Sequence, residues 1–353
     1  MSRHEGLWVD PILCRPSMEG PVQFRFLNHP HSLSDAGGWE EEGLEKLWLY
    51  NLHYFDDLNA VNSEKRSQWH CDLISRWIDK NEPGKGTGWE SYPTSLRIVN
   101  WIKWIKKNRV ADQKILHSLY SQCCHLDKNI EHHILANHLF ANIKAMIIAG
   151  LFFDSTKSSH WFEKYTSMLL REIKVQILEN SGHYELSPMY HNIILEDILE
   201  IIAFYKVYSQ SLPKILTQTV GKMLAWSGAM THPDGDVSFF NDSVSGIAAT
   251  LSELKTFARS LGIDAHAQPK IIHVCDGYYV VKKDLWDLKF DAADVMAKQQ
   301  PGHTHADALS FELSVGDQRF FVNSGISTYH DLQARQEQRS TSAHNALVID
   351  GKN

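Results

Sequence analysis

Residues 300–311 read QPGHTHADALSF and place His303, His305 and Asp307 at alternate positions. The segment follows Pro301-Gly302 and runs into Leu309, Phe311, Leu313 and Val315, an apolar–polar alternation that predicts a strand. Residues two apart on a strand share a face, so His303, His305 and Asp307 would point one way and Thr304, Ala306 and Ala308 the other. Imidazoles and a carboxylate on one face can move protons or bind a metal. A hydrogen-bonded histidine pair that closes a turn would use the same residues.

Three more segments carry chemistry-bearing side chains. EHHILANHLFAN (131–142) gathers His132, His133, Asn137, His138 and Asn142 at a helix start. Asn137 and His138 sit one turn beyond His133, so part of this group can face one cleft; helix capping and packing are the plainer uses. In GHYELSPMYH (182–191), Ser187-Pro188 predicts a helix start with Tyr190 in the first turn. A tyrosine there projects from a helix end, at the rim of a cleft or as a packed aromatic, and His183, Glu185 and His191 accompany it. HPDGDVSFFNDS (232–243) offers Asp234, Asp236 and Asp242, which could pair as glycosidase carboxylates. An Asp-Gly turn with capping Asn and Asp is the simpler reading. RSTSAHN (339–345) adds Arg339 and His344.

The elements that must position these groups fall into three stretches. Residues 1–45 are irregular and proline-rich, an N-terminal arm with a short strand in PVQFRFLN (21–28). Residues 46–265 are helical in periodicity, interrupted at NEPGKGTGWESYP (81–93), with Thr94 as the expected N-cap of the restart. Further helices are expected near 110–130, 134–152, 159–178, 190–209, 212–230 and 244–261. Seven or more helices in series with short connections give a helical toroid or bundle. From 266 the chain turns β-rich, with strands expected in KIIHV (270–274), GYYVV (277–281), LWDLKF (285–290), RFFVN (319–323) and ALVID (346–350). That series suggests an antiparallel β-sandwich, expected to be truncated here because its sheet would otherwise end on an unprotected edge. The fold class is thus α+β and multidomain.

With 353 residues the chain is too long for one small core, and 43% apolar and 22% charged residues suit a globular protein. A net charge of −7 without a long basic run argues against nucleic acid as a partner. The 20 histidines and 11 tryptophans suit a sugar cleft, since pyranose faces stack on indole rings. Five scattered cysteines, with Cys123-Cys124 adjacent, form neither a disulfide framework nor a zinc spacing and fit a reducing compartment. The first twenty residues hold no apolar core of a signal peptide, so the sequence by itself points to the cytoplasm. No apolar run is long enough to span a bilayer, so membrane insertion is not expected.

The segments WESYPTSLRIVNW (89–101), Asn137-His138, YELSPMYH (184–191), HPDG (232–235), GHTHAD (302–307), NSG (323–325) and RSTSAHN (339–345) occur in an order and mixture that is specific as a set. Over nearly the whole chain the sequence resembles the heparinase II/III family of polysaccharide lyases, its alginate-lyase-like relatives included. The resemblance implies an (α/α) toroid over 46–265 and an incomplete β-sandwich over 266–353. It implies β-elimination on an acidic, uronate-containing polysaccharide (heparan-like, alginate-like or a bacterial exopolysaccharide), and a periplasmic or cell-envelope location.

In that reaction the C5 proton is weakly acidic, because the neighbouring carboxylate resists more negative charge. A clamp must neutralise the carboxylate, a base takes the proton, and an acid protonates the leaving O4. The resemblance assigns the clamp to Asn137 helped by His138, and the acid to Tyr190. A phenol with an ordinary pKa of about 10 needs less help as an acid than as a base; Tyr190 could still be both on one face of the sugar. His303 would be the base on the other stereochemical course, or a clamp. Trp89, Arg97, His133, Glu185, Tyr329 and Arg339 would contact the polymer. The resemblance also implies one structural zinc in the β domain on His305 and His344, and no organic cofactor. The third ligand position, ordinarily aspartate, is Asn323, and a neutral amide oxygen is a poor zinc ligand. The competing functions are a glycan-binding or exopolysaccharide-biosynthesis-associated protein without turnover, and a glycoside hydrolase working through Asp234 and Asp242.

Overall fold

The computed structural model describes residues 8–34, 38–265, 272–293, 301–329 and 331–351. The described residues form ten α-helices and two antiparallel sheets, an α+β fold divided into two compact units. No described helix is long and apolar enough to cross a membrane.

The first unit consists mainly of Leu13–His133 and Ala141–Met168. It opens with a meander of β1 (Met18–Gly20), β2 (Gln23–Phe26) and β3 (His29–Ser32). Phe24 and Phe26, two apart, turn inward, and Phe26 meets the Trp48 ring edge-on at 5.0 Å. Then follow α1 (Lys46–Tyr54), α2 (Ser67–Lys80), α3 (Ser91–Asn108) and α4 (Gln113–Leu126). Leu73, Ile74 and Trp77 of α2 and Ile98, Trp101, Ile102 and Ile105 of α3 recur at helical spacing and are buried, as their periodicity requires. The helix expected to restart at Thr94 starts earlier, at Ser91. Thr94 lies inside it, fully buried, its hydroxyl donating to Gly88 O at 3.3 Å.

α5 (Ala136–Phe152) and α6 (Thr156–Gln176) each divide between the two units. The second unit holds Ile134–Phe140 and the chain from Leu169 on. It contains α7 (Pro188–Val207), α8 (Lys214–Met230), α9 (Leu251–Ser260) and a five-stranded meander. Its strands are β4 (Ile272–Cys275), β5 (Tyr278–Lys283), β6 (Trp286–Asp291), β7 (Phe311–Val315) and β8 (Gln318–Phe321), and α10 (Leu332–Arg339) follows. The strand expected from Lys270 starts with two residues outside the described ones. Leu186, Trp226, Met230, Phe240, Tyr278 and Val280 pack into one core beneath the loops that carry the site.

The sheet reverses the usual order of its faces. Asp287, Lys289 and Asp291 of β6 and Glu312 and Ser314 of β7 are buried, whereas Leu288, Phe290, Phe311 and Leu313 are only half-buried and Trp286 is 55% exposed. The buried polar row is satisfied internally. His232 meets Glu312 Oε2 at 2.9 Å and Ser314 Oγ at 2.7 Å, and Lys289 pairs with Asp287 at 2.6 Å. Burial pushes Asp291 up to about 8, with Asp307 adding repulsion, and pushes Glu312 up to about 7; it brings Lys289 down to about 8.

Two sequence expectations give way here. Residues 301–310 are not a strand: Pro301–His303 form a 3₁₀ turn, and Leu309 is left-handed at φ 65°. The inward alternation survives in part: His305 and Asp307 are buried and Ala308 is exposed, while His303, Thr304 and Ala306 are all half-buried. Residues 346–350 form no strand either, and Leu347 and Ile349 are 80% and 67% exposed.

Candidate active site

The site lies within the second unit, where three loops converge. The first is the start of α7. Ser187 is its N-cap, accepting the Tyr190 amide at 3.1 Å, and Pro188 occupies the first turn, as the sequence suggests. The Ser187 hydroxyl also donates to Asp242 O at 2.6 Å, which ties α7 to the second loop. Left-handed Leu186 (φ 53°) and Asn241 (φ 50°) flank these groups. Such strain persists only where packing fixes it: Leu186 O accepts from Tyr278 Oη at 2.7 Å and from Asn241 Nδ2 at 3.1 Å. The third loop carries His303.

The Tyr190 and His303 rings stack, with centroids 4.5 Å apart and planes 7° from parallel. The Tyr190 hydroxyl meets the Tyr329 hydroxyl at 3.1 Å. Burial, then the neighbouring Tyr329, Glu185 and Asp242, hold the Tyr190 phenol well above its ordinary pKa, so it stays protonated. His303 Nδ1 hydrogen-bonds Glu185 Oε2, and His303 Nε2 lies 4.0 Å from Asp242 Oδ2. Burial alone would lower the His303 pKa, but Glu185 and then Asp242 outweigh it and raise the pKa. The sequence reading gave Glu185 to the polymer. Here it is fully buried behind His303, and its other oxygen, Oε1, has no hydrogen-bond partner.

Asp242 is the hub. Its Oδ2 accepts from Arg335 Nη2 at 2.7 Å and its Oδ1 meets His305 Nε2 at 2.8 Å. Burial opposes ionisation, yet His305 and Arg335 keep the carboxyl below its ordinary range. Arg335 also donates to Gly302 O at 2.8 Å and lies 4.9 Å from the Tyr329 ring centre. Sequence reasoning missed Arg335. It sits four residues before Arg339, on the same helical face, and that spacing was the available signal. Arg339, expected to bind sugar, instead donates to Thr304 O at 2.8 Å and Pro301 O at 3.0 Å, holding the His303 segment in place.

Asn137 is buried at the start of α5, directly after two left-handed residues, Leu135 (φ 63°) and Ala136 (φ 49°). Its Oδ1 lacks a hydrogen-bond partner, and His138 beside it is half-buried. A buried chain leads from this helix start towards His303. Gln176 Nε2 donates to Ala136 O at 3.4 Å, Gln176 Oε1 meets His183 Nε2 at 3.0 Å, and His183 Nδ1 lies 3.9 Å from Glu185 Oε1.

Three expected polymer contacts belong to the first unit. Arg97 is fully buried, its Nε donating to Gln122 Oε1 at 2.8 Å and its guanidinium 3.9 Å from the Trp77 ring centre. Trp89 is buried with its ring 5.7 Å from Trp77 and edge-on to His125. A side chain enclosed in this way lines no groove, so Arg97 and Trp89 are core residues. His133 is exposed.

The residues expected to hold zinc do not fit it. His344 Nδ1 donates to Ser340 O at 2.8 Å, leaving Nε2 to accept from His305 Nδ1 at 3.1 Å, while His305 Nε2 faces Asp242. Both His305 nitrogens are thus engaged, by His344 and by Asp242. Asn323 Oδ1 accepts the Asn345 amide at 3.0 Å. Among the described residues no three His, Cys, Asp or Glu side chains form a metal-binding group.

Residues 42–264 match the family model of the heparinase II/III N-terminus, and 276–353 match the heparinase II/III-like C-terminal model. A heparin-sulfate lyase of Bacteroides thetaiotaomicron is 24% identical over 345 residues, covering 82% of this chain and 49% of that protein. One from Bacteroides stercoris is 24% identical over 241 residues, covering 62% and 36%. The chain thus spans half or less of these curated relatives. A crystal structure of heparinase III superposes with a TM-score of 0.76 at 22% identity, covering 92% of this chain and 59% of the other. Heparan sulfate lyase HepC from Pedobacter heparinus gives 0.59 at 20%, covering 94% and 59%. Matched along both its helical and its β-rich part, the chain belongs to the heparinase II/III family.

Proposed function

We propose that this protein is a polysaccharide lyase that cleaves a 4-linked uronate polymer by β-elimination. The carrying observation is the stacked Tyr190–His303 pair, with the phenol held protonated and His303 Nδ1 fixed by Glu185. That tether leaves Nε2 to take the C5 proton, while the Tyr190 hydroxyl protonates O4. Asn137, with His138 beside it, would turn its unpartnered amide to the uronate carboxylate; strain stored ahead of it fits a residue held for function. We also read the helices as an (α/α) toroid and the five-stranded sheet as one layer of a β-sandwich, in keeping with the likeness to heparinase III.

The hydrolase reading needs a carboxylic acid with a raised pKa. Asp234 is paired with Arg319 at 2.7 Å and Asp242 with Arg335 and His305, and both are held below their ordinary range. Neither can serve as that acid. Heparin and heparan sulfate lead the substrate panel because the curated relatives carry those names; alginate and bacterial exopolysaccharides complete it.

Elimination leaves a double bond conjugated to the carboxylate, which absorbs in the ultraviolet. Incubation with the panel is expected to raise that absorbance with one polymer. Tyr190→Phe should then lower the rate by about 10²–10⁴-fold without shifting the melting temperature. A flat trace with new reducing ends would replace elimination by hydrolysis. A flat trace without them, alongside measurable binding, would leave a glycan-binding protein.

A further inference from the structure

Tyr190 is only 9% exposed, and the groups around it include Glu185 and Asp242. Once its proton has gone to O4, a phenolate in that setting is costly, because burial and negative neighbours both disfavour the charge. It must be reprotonated before the next turnover. The hydroxyl within reach, at 3.1 Å, is that of Tyr329, a residue 38% exposed. The Tyr329 ring lies edge-on to His303, with centroids 6.1 Å apart, and against the Arg335 guanidinium, while its hydroxyl faces Asp242. Tyr329, itself partly exposed, thus adjoins the buried acid. Burial and Asp242 hold its own phenol well above its ordinary pKa, so it must take a new proton as it gives one up rather than rest as a phenolate.

We propose that Tyr329 is a proton relay that returns a solvent proton to Tyr190 after each elimination. The inference rests on Tyr190 being the acid. The C5–H bond breaks as His303 Nε2 takes the proton, and its electron pair becomes the C4–C5 double bond. The C4–O4 bond breaks and O4 takes the Tyr190 hydroxyl proton. The Tyr190 phenolate then takes the Tyr329 hydroxyl proton, and Tyr329 takes one from water. The hydroxide so formed is neutralised by the proton His303 releases, so the cycle consumes no net proton.

A relay acts between turnovers, whereas a group that binds sugar or donates to O4 acts in the first. Rapid mixing on the polymer identified by the absorbance panel separates the two. With enzyme in excess, Tyr329→Phe should form product within about threefold of the wild-type rate. With substrate in excess it should release one equivalent of product per enzyme and then slow by about tenfold or more, as expected when a step after chemistry limits turnover. Tyr329→His, which restores a protic group, should recover part of the steady-state rate, and it also tests the relay if the phenylalanine variant does not fold. An equal loss in the first turnover would overturn the relay and make Tyr329 a direct participant. An unchanged steady-state rate would overturn it as well. Full activity in Tyr190→Phe would instead remove the acid assignment on which the relay depends.

Discussion

Each unit buries an arginine, and the two are solved differently. In the first unit Arg97 is fully enclosed, and its partners are all neutral: Gln122 Oε1, His53 O, Thr94 Oγ1 and the Trp77 face. In the second, Arg335 spends its charge on Asp242, which in turn holds His305 and faces His303. A guanidinium ringed by neutral oxygens and an indole is a fixed strut: desolvation lowers its own pKa without a counter-charge to answer it. A guanidinium that shares a carboxylate with histidines sets the charge on groups able to carry a proton. Residue type cannot separate the two; the partners do.

Breaking the strut should cost stability and little else. Arg97→Ala strands three acceptors and opens a cavity beside Trp77, so about 3 kcal/mol of stability should be lost in urea unfolding. The specific activity of the folded fraction should stay the same. Lost activity at unchanged stability would place Arg97 in the substrate path after all.

Glu185→Gln should behave in the opposite way, lowering turnover about 10- to 100-fold with a small change in unfolding midpoint. The sign of its pH effect follows from His303, which as the proposed base would have to be neutral to accept a proton. Glu185 raises the His303 pKa against burial, so removing the charge lets that pKa fall. The acidic limb of the pH–rate profile should then move to lower pH. A limb that stays in place would detach it from His303.

The smallest effect concerns the polar-inward sheet. Asp291 and Glu312 titrate at about 8 and about 7 when folded, above their ordinary values. Between about pH 4 and 8 these two carboxyls therefore hold more protons in the folded chain than in the unfolded one, and their contribution to stability declines as pH rises. Below about pH 6.5 the buried His53, His183, His191 and His232, lowered to between about 2 and about 4, contribute the opposite slope. Lys289, lowered to about 8, contributes the opposite slope above that pH. Asp291→Asn should flatten the decline, preserving a few degrees of melting temperature at pH 8. An unchanged slope would show that Asp291 is not the group responsible.

The helices were legible because α2, α4 and α9 carry periodic apolar faces, because α5 and α7 are long apolar runs, and because Ser187-Pro188 states a helix start in local chemistry. The sheet was harder. Its strands could be found by residue type, but the rule that apolar residues face inward runs against β6 and β7, where Asp287, Lys289 and Glu312 are the buried ones. The alternation of His303, His305 and Asp307 ordered burial only in part, since His303 is no more buried than Thr304 and Ala306, and a 3₁₀ turn and left-handed Leu309 take the place of a ladder. In the site, the groups in local motifs were visible: Tyr190 at a helix cap, Asn137-His138 at another helix start. Arg335 was not, because its importance comes from Asp242, 93 residues away. Trp89 and Arg97 were turned outward by the family resemblance, and tertiary packing turned them in.

The Tyr190–His303 stack has a stereochemical consequence. Under the proposed chemistry, rings lying 4.5 Å apart and 7° from parallel would approach a bound sugar from one side. In a 4-linked D-gluco- or D-mannuronate the C5–H and C4–O bonds lie on the same face of the ring, and in their C5 epimers they lie on opposite faces. Under that chemistry the pair therefore performs syn elimination, in place of the opposite course that the resemblance implied for a His303 base. In a polymer of mixed epimers, cleavage should fall at the D-configured residues and leave the epimerised ones inside the surviving oligosaccharides.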